Sequence, residues 1–264
     1  MILQFLRQVI VQKRLIWAMA RRDIAVRYAG SLLGLVWAII HPAVMIFVFW
    51  IVFSVGFKSQ PMKDVPFVVW LTAGMAPWFV FADIITGASG IIVDNAHLIK
   101  KTLFPSQILP LVRVVSSMIT HGVFLGVLVV LLLFNHQPVT VYWGQFIYYL
   151  FCLTIFSLGI SWALSALNVF LRDVHQMTAI VVQVGFWATP VFWDIGMMPE
   201  PVQRVIKLNP MYYIVQGYRE SFIEGTPFWD HPLLTVYFWC ISILLLGLGA
   251  FVFRRLKPQF ADML

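Results

Sequence analysis

Six apolar runs, each near the ~20 residues a helix needs to cross a bilayer, alternate with charged or Pro- and Gly-rich breaks along the 264-residue sequence. They cover 32–57, 65–86, 108–134, 145–170, 174–193 and 233–253. Ahead of them, residues 2–28 read as an amphipathic helix. Arg7, Arg14 and Arg21 recur every seven residues with Lys13, Arg22 and Arg27 nearby, while Phe5, Val9, Leu15, Ile16, Trp17, Met19 and Ile24 form the apolar side. That mixture suits a helix lying in the interface of an anionic leaflet. The stretch 187–225 is different again. After Trp187 it is broken by Asp194, Gly196, Pro199 and Pro201, resumes as a wetter run over 202–208, breaks at Asn209-Pro210, and resumes over 211–222. Neither later run is long enough to span, and both carry charges. The pattern predicts two short helices dipping in from one face; an ordinary loop with interfacial helices is the competing reading.

The pattern predicts an all-α integral membrane protein, with one transmembrane domain over residues 1–264 and no soluble domain. Composition agrees: 61% of the residues are hydrophobic and 11% are charged, which is polytopic membrane chemistry. The net charge of +7 is then a topology signal rather than a nucleic-acid one. Thirteen of the 18 Lys and Arg residues fall in the N-terminal segment, the second–third connection with its flank, the fourth–fifth connection and the tail. Basic residues gather on the cytoplasmic side, so six spans with both termini cytoplasmic are expected. The N-terminal segment is interrupted too often by Arg and Lys to read as a cleavable signal peptide. Cys152 and Cys240 each lie inside an apolar run and are not expected to pair.

Candidate chemistry is sparse. Phe67, Trp70, Trp78 and Phe81 lie near one stripe of the second run, where flat ring faces suit a sugar sliding past; interfacial or lipid-facing filler is the alternative. Tyr212, Tyr213 and Tyr218 are candidates for an extracytoplasmic gate, or for bracing of the last span. Asp83 and Arg113 are opposite in sign at neighbouring span ends and are expected to pair, and Asp23 with Arg27 adds an i,i+4 pair. Arg219 and Glu220 are read as a mouth pair reaching a second subunit, and Glu220 with Glu224 as a solvated face. His41-Pro42 reads as a kink, and the Gly30/Gly34 and Gly122/Gly126 spacings as weak close-packing motifs. Thr154, Ser157, Ser161, Ser165 and Asn168 share one helix face, for packing or for a polar lining. No P-loop, zinc-helix motif or catalytic set is present, so no catalytic or metal residue is expected and the energy source must lie in a partner or an ion gradient.

Three segments carry a family resemblance: Arg22-Asp23-Ile24-Ala25-Val26-Arg27-Tyr28 running on to His41-Pro42, Leu98-Ile99-Lys100-Lys101-Thr102-Leu103-Phe104-Pro105, and Asn209-Pro210-Met211-Tyr212-Tyr213 running on to Arg219. In order, they resemble the permease subunits of ABC-2-type polysaccharide exporters, which move lipid-linked O-antigen, capsule or teichoic-acid chains. The resemblance implies a homodimer in the bacterial cytoplasmic membrane, paired with two copies of a separate ATPase that holds the ATP and Mg. It also implies an interface helix at the N-terminus, a coupling segment over 94–105 with Lys100, Lys101, Leu103 and Phe104 toward the ATPase, and two re-entrant helices before the last span. O-antigen is the preferred cargo by general likeness. From the residues alone, a proton-coupled transporter with Asp83 as its buried acid and a membrane-embedded sugar transferase stay open.

Overall fold

The computed structural model describes residues 8–58, 65–101 and 104–264, apart from the side chains of Leu35 and Lys101; the coupling candidates Leu103 and the Lys101 side chain lie outside the described set. All regular elements among the described residues are helices: α1 (Lys13–Tyr28), α2 (Trp37–Trp50), α3 (Phe67–Asp94), α4 (Ala96–Lys101), α5 (Leu109–Phe134), α6 (Phe146–Phe170), α7 (Asp173–Ala188), α8 (Glu200–Lys207), α9 (Pro210–Arg219), α10 (Pro232–Leu256) and α11 (Phe260–Met263). Five helical stretches are long and apolar enough to cross a membrane: Trp37–Gly56, Phe67–Asp94, Ser106–Phe134, Val141–Phe170 and Pro232–Met263. They coincide with five of the six apolar runs.

The remaining run, 174–193, is cut short. Pro190 disfavours helical backbone at the residue before it, and Thr189 is extended at φ −93° and ψ 139°. The helix therefore ends after 16 residues. It nonetheless follows α3 closely. His175 Nδ1 lies 2.7 Å from Ser89 Oγ, Gly185 faces Trp78, and the Val191 carbonyl sits over Gly74. At ~1.5 Å per residue, those α3 positions are about 22 Å apart.

The first run also starts later than its hydrophobicity predicts. Gly30 and Gly34 have φ of +78° and +50°, conformations that glycine tolerates and other residues resist. They form a turn into α2 at Trp37, and a Cβ on either would meet nothing within 4 Å. The close-packing role expected of them belongs elsewhere. α6 and α10 approach so tightly at Gly159 and Gly249 that a Cβ on Gly249 would fall on the Gly159 carbonyl oxygen.

α3 forms the centre of the bundle, in contact with α5, α6, α7 and α9, and is buried along most of its length. α2 is the opposite case: only Ile46 on it is buried. α1 lays Ile16, Ala20 and Ile24 inward, an i, i+4, i+8 stripe, and Ile16 and Ala20 cluster with Ile108 and Val112 at the start of α5. The first described residues and the tail meet at one face. There Gln107, between α4 and α5, donates to Gln8 and accepts from Lys257 Nζ at 2.5 Å, and α11 touches α4.

Candidate functional site

Beside that face, two acids and two arginines from three helices form a closed network. Arg113 Nη2 lies 2.5 Å from Asp83 Oδ1, the pair the sequence predicts. Arg27 reaches the other Asp83 oxygen at 3.1 Å and its own neighbour Asp23 at 2.5 Å, while Arg113 also approaches Asp23 at 3.4 Å. Ser116 donates to Asp23 at 2.6 Å and Ser117 to Asp83 at 2.5 Å. Gly87 permits this geometry, since a Cβ there would collide with the Arg113 guanidinium. Burial works against the Asp23 carboxylate, but the Ser116 hydroxyl and the Arg27 and Arg113 guanidiniums outweigh it and hold Asp23 below the usual carboxylate range. The network ties α1 to α3 and α5.

A second polar cluster surrounds α9. The break expected at Asn209-Pro210 is a helix cap: Asn209 Oδ1 accepts from the Met211 amide at 3.0 Å, with Pro210 at a position where its missing donor costs nothing. The Asn209 amide also donates to Thr189 at 2.7 Å. Tyr213 shares its hydroxyl with Tyr148 at 3.1 Å and Thr235 at 2.9 Å, and Tyr218 meets His121 Nε2 at 3.0 Å. Arg219 turns into its own chain rather than toward an exposed mouth. It is 2% exposed, stacks 3.4 Å over the Trp70 ring, and donates to the Pro190 and Val191 carbonyls at 2.8 and 2.7 Å. Glu220 is buried as well, which corrects its reading as a solvated face. It accepts from Tyr149 at 3.2 Å and lies 3.3 Å from His231 Nε2. Burial raises its carboxyl, opposed by His231 and assisted by Glu224.

All seven aromatic candidates, Phe67, Trp70, Trp78, Phe81, Tyr212, Tyr213 and Tyr218, are buried within the single chain. Trp78 and Phe81 alone among them border a groove of about 480 Å³ between α3, α6 and α7. Other large aromatics stand on open faces of the single chain, among them Trp37, Phe47 and Trp50 on α2 and Trp187 on α7. Ser157, Ser161, Ser165 and Asn168 are buried in the bundle, as packing residues would be. In the coupling segment, Lys100 is exposed and Phe104 packs partly against Ile16, Ala20 and Ile108. No group of three or more His, Cys, Asp or Glu residues suited to a metal occurs among the described residues.

A family model described as ABC-2 type transporter matches residues 14–223, from the start of α1 to the helical turn after α9. An O-antigen export system permease protein RfbA of Klebsiella pneumoniae is 29% identical over 259 residues, covering 95% of each chain. Its namesake from Myxococcus xanthus is 26% identical over 262 residues, or 98% of this chain and 99% of its own. A polysialic acid transport protein KpsM of Escherichia coli is 21% identical over 216 residues, covering 81% and 83%.

Proposed function

The chain belongs to the ABC-2 type transporter family, and from that premise we propose that it is the membrane permease subunit of an ATP-driven polysaccharide exporter, with O-antigen as the cargo. The observation that carries the cargo is coverage. The match to the O-antigen permeases runs over 95% or more of both chains, against 81% of this chain for the polysialic acid transporter. Hydrolysis belongs to a separate cytoplasmic ATPase that binds ATP and Mg, since this sequence has no phosphate-cradling loop.

In this reading the protein resides in the cytoplasmic membrane with six spans. The meeting of Gln8 and Lys257 at Gln107 favours an even number of crossings; beside the five long apolar helices, α7 is taken as the sixth. That α7 together with the extended residues after it, from His175 to Val191, has neighbours on α3 about 22 Å apart supports a crossing. The basic segments assign the shared face to the cytoplasm. α1 then lies in the cytoplasmic leaflet interface, α8 and α9 dip in from the outer face, and α4 with Lys100, Lys101, Leu103 and Phe104 meets the ATPase.

Two copies pair, and the polymer passes between them. The exposed faces of α2 and α7, carrying Trp37, Phe47, Trp50 and Trp187, present the ring surfaces that such a path needs. Trp78 and Phe81 border it through their groove, while Phe67, Trp70, Tyr212, Tyr213 and Tyr218 stand one layer behind and fix its wall. The test is co-expression with a candidate ATPase subunit, in a host whose own O-antigen exporter is deleted. Surface polymer should return and the ATPase should co-purify. Surface polymer that depends on the proton gradient and persists without any ATPase would overturn the reading.

A further inference from the structure

Resting on the reading of α4 as the ATPase contact, we infer that Gln107 is a positioning residue: it joins the coupling segment to both ends of the chain, so that motion at α4 is passed to α1 and α10 together. Gln107 stands in the single tight turn Ser106–Ile108 that leads from α4 into α5. Both sides of this turn are held. Pro105 restricts the backbone before it, and Ile108 is fully buried after it. One amide group then makes two bonds in opposite senses. Its Nε2 donates to Gln8 in the helical stretch before α1, and its Oε1 accepts from the Lys257 ammonium at 2.5 Å, just beyond α10. Its backbone carbonyl takes a third bond from Trp162 Nε1 at 3.1 Å, on α6.

Glutamine is the side chain this joint requires, because it offers a donor and an acceptor on one rigid plane. Apolar contacts run alongside. Phe104 packs against the cluster that Ile16 and Ala20 of α1 form with Ile108 and Val112. Phe260, 1% exposed, sits between Phe253 and Phe170 at ring distances of 5.4 and 6.3 Å, which seats α11 where it touches α4. The tail from Lys257 onward is thus a brace beneath the coupling segment. A displacement of α4 has packed routes to α1, α6 and α10, and Gln107 is hydrogen-bonded toward all three.

The experiment uses the full chain with its ATPase in proteoliposomes and in cells, comparing Gln107→Leu, Lys257→Met and Gln107→Glu. Leu removes both side-chain bonds. Met removes the Lys257 bond alone, at a partly exposed site. Glu keeps both, because the Gln8 amide can turn and donate to it. In Gln107→Leu, complex yield and basal ATP hydrolysis should stay near wild type, while polymer exported per ATP hydrolysed falls about tenfold, the scale of one charge-assisted hydrogen bond lost from the coupling. Lys257→Met should show a smaller fall, and Gln107→Glu should restore the ratio. An unchanged ratio in Gln107→Leu overturns the inference. If that variant yields no folded complex, Lys257→Met decides: a lowered ratio supports the joint and a normal one overturns it. Failure of the wild-type complex to export at all would count against the exporter reading instead, and so separates the two.

Discussion

Asp23, Arg27, Asp83 and Arg113 sum to no net charge, yet each is partly withdrawn from water, so removing one leaves a neighbour without its partner. Asp83→Ala and Arg113→Ala should each lower folded yield, by somewhat less than the ~3–5 kcal/mol of a fully buried pair, because Asp83 retains 34% side-chain exposure. The double variant should recover part of the loss, which detergent-solubilised yield on size exclusion measures; losses that merely add would mean the contact carries no energy. The Asp83–Arg113 half of this network is legible from the sequence, since two opposite charges stand at neighbouring span ends. Asp23 and Arg27 reveal only their mutual i,i+4 spacing. Their docking on α3 and α5 spans 56 to 90 residues of sequence and has no local signature. Arg219 misleads for a related reason. Beside Glu220 in an amphipathic run it looks like a surface pair, and nothing nearby in sequence announces the Trp70 ring or the two carbonyls that receive it.

Among the elements, hydrophobic length locates five spans correctly and overstates two boundaries, both for backbone reasons. The left-handed glycines delay α2, and Pro190 ends α7, whereas a hydropathy window registers neither. Paired small residues illustrate the same gap between spacing and geometry. Gly30 and Gly34 have the spacing of a helix contact but sit in a turn; Gly159 and Gly249 have no motif and bring two helix backbones into direct contact. Gly249→Ala should therefore destabilise the α6–α10 pair by about 2–3 kcal/mol, the upper range for overpacking, because backbone rather than a yielding side chain opposes the methyl. Gly247→Ala, two residues away with nothing within 4 Å of its Cβ, is the matched control and should be neutral or slightly stabilising through helix propensity. Thermal unfolding in detergent separates them; equal midpoints would dismiss the close contact.

For the molecule as a whole, the meeting of Gln8, Gln107 and Lys257 makes topology testable with two positions. In a variant lacking Cys152 and Cys240, a cysteine at Glu200 should react with an impermeant reagent added to intact cells, and one at Lys100 should react only after lysis. Reaction at both from outside would break the six-span arrangement. The order of the chain gives the charge network a further consequence, in time rather than in space. α1 is made first, but Arg113, needed to complete its docking, is translated 86 residues after Arg27. At about 5–20 residues per second, that is an interval of roughly 4–17 s. Throughout it α1 lacks the α5 seam, and until Asp83 follows, 56 residues after Arg27, its arginines have only Asp23 and lipid phosphates to meet. The nascent helix thus waits at the membrane surface as a provisional anchor. Its capture by α5 would mark the moment when the first half of the newborn chain becomes one body.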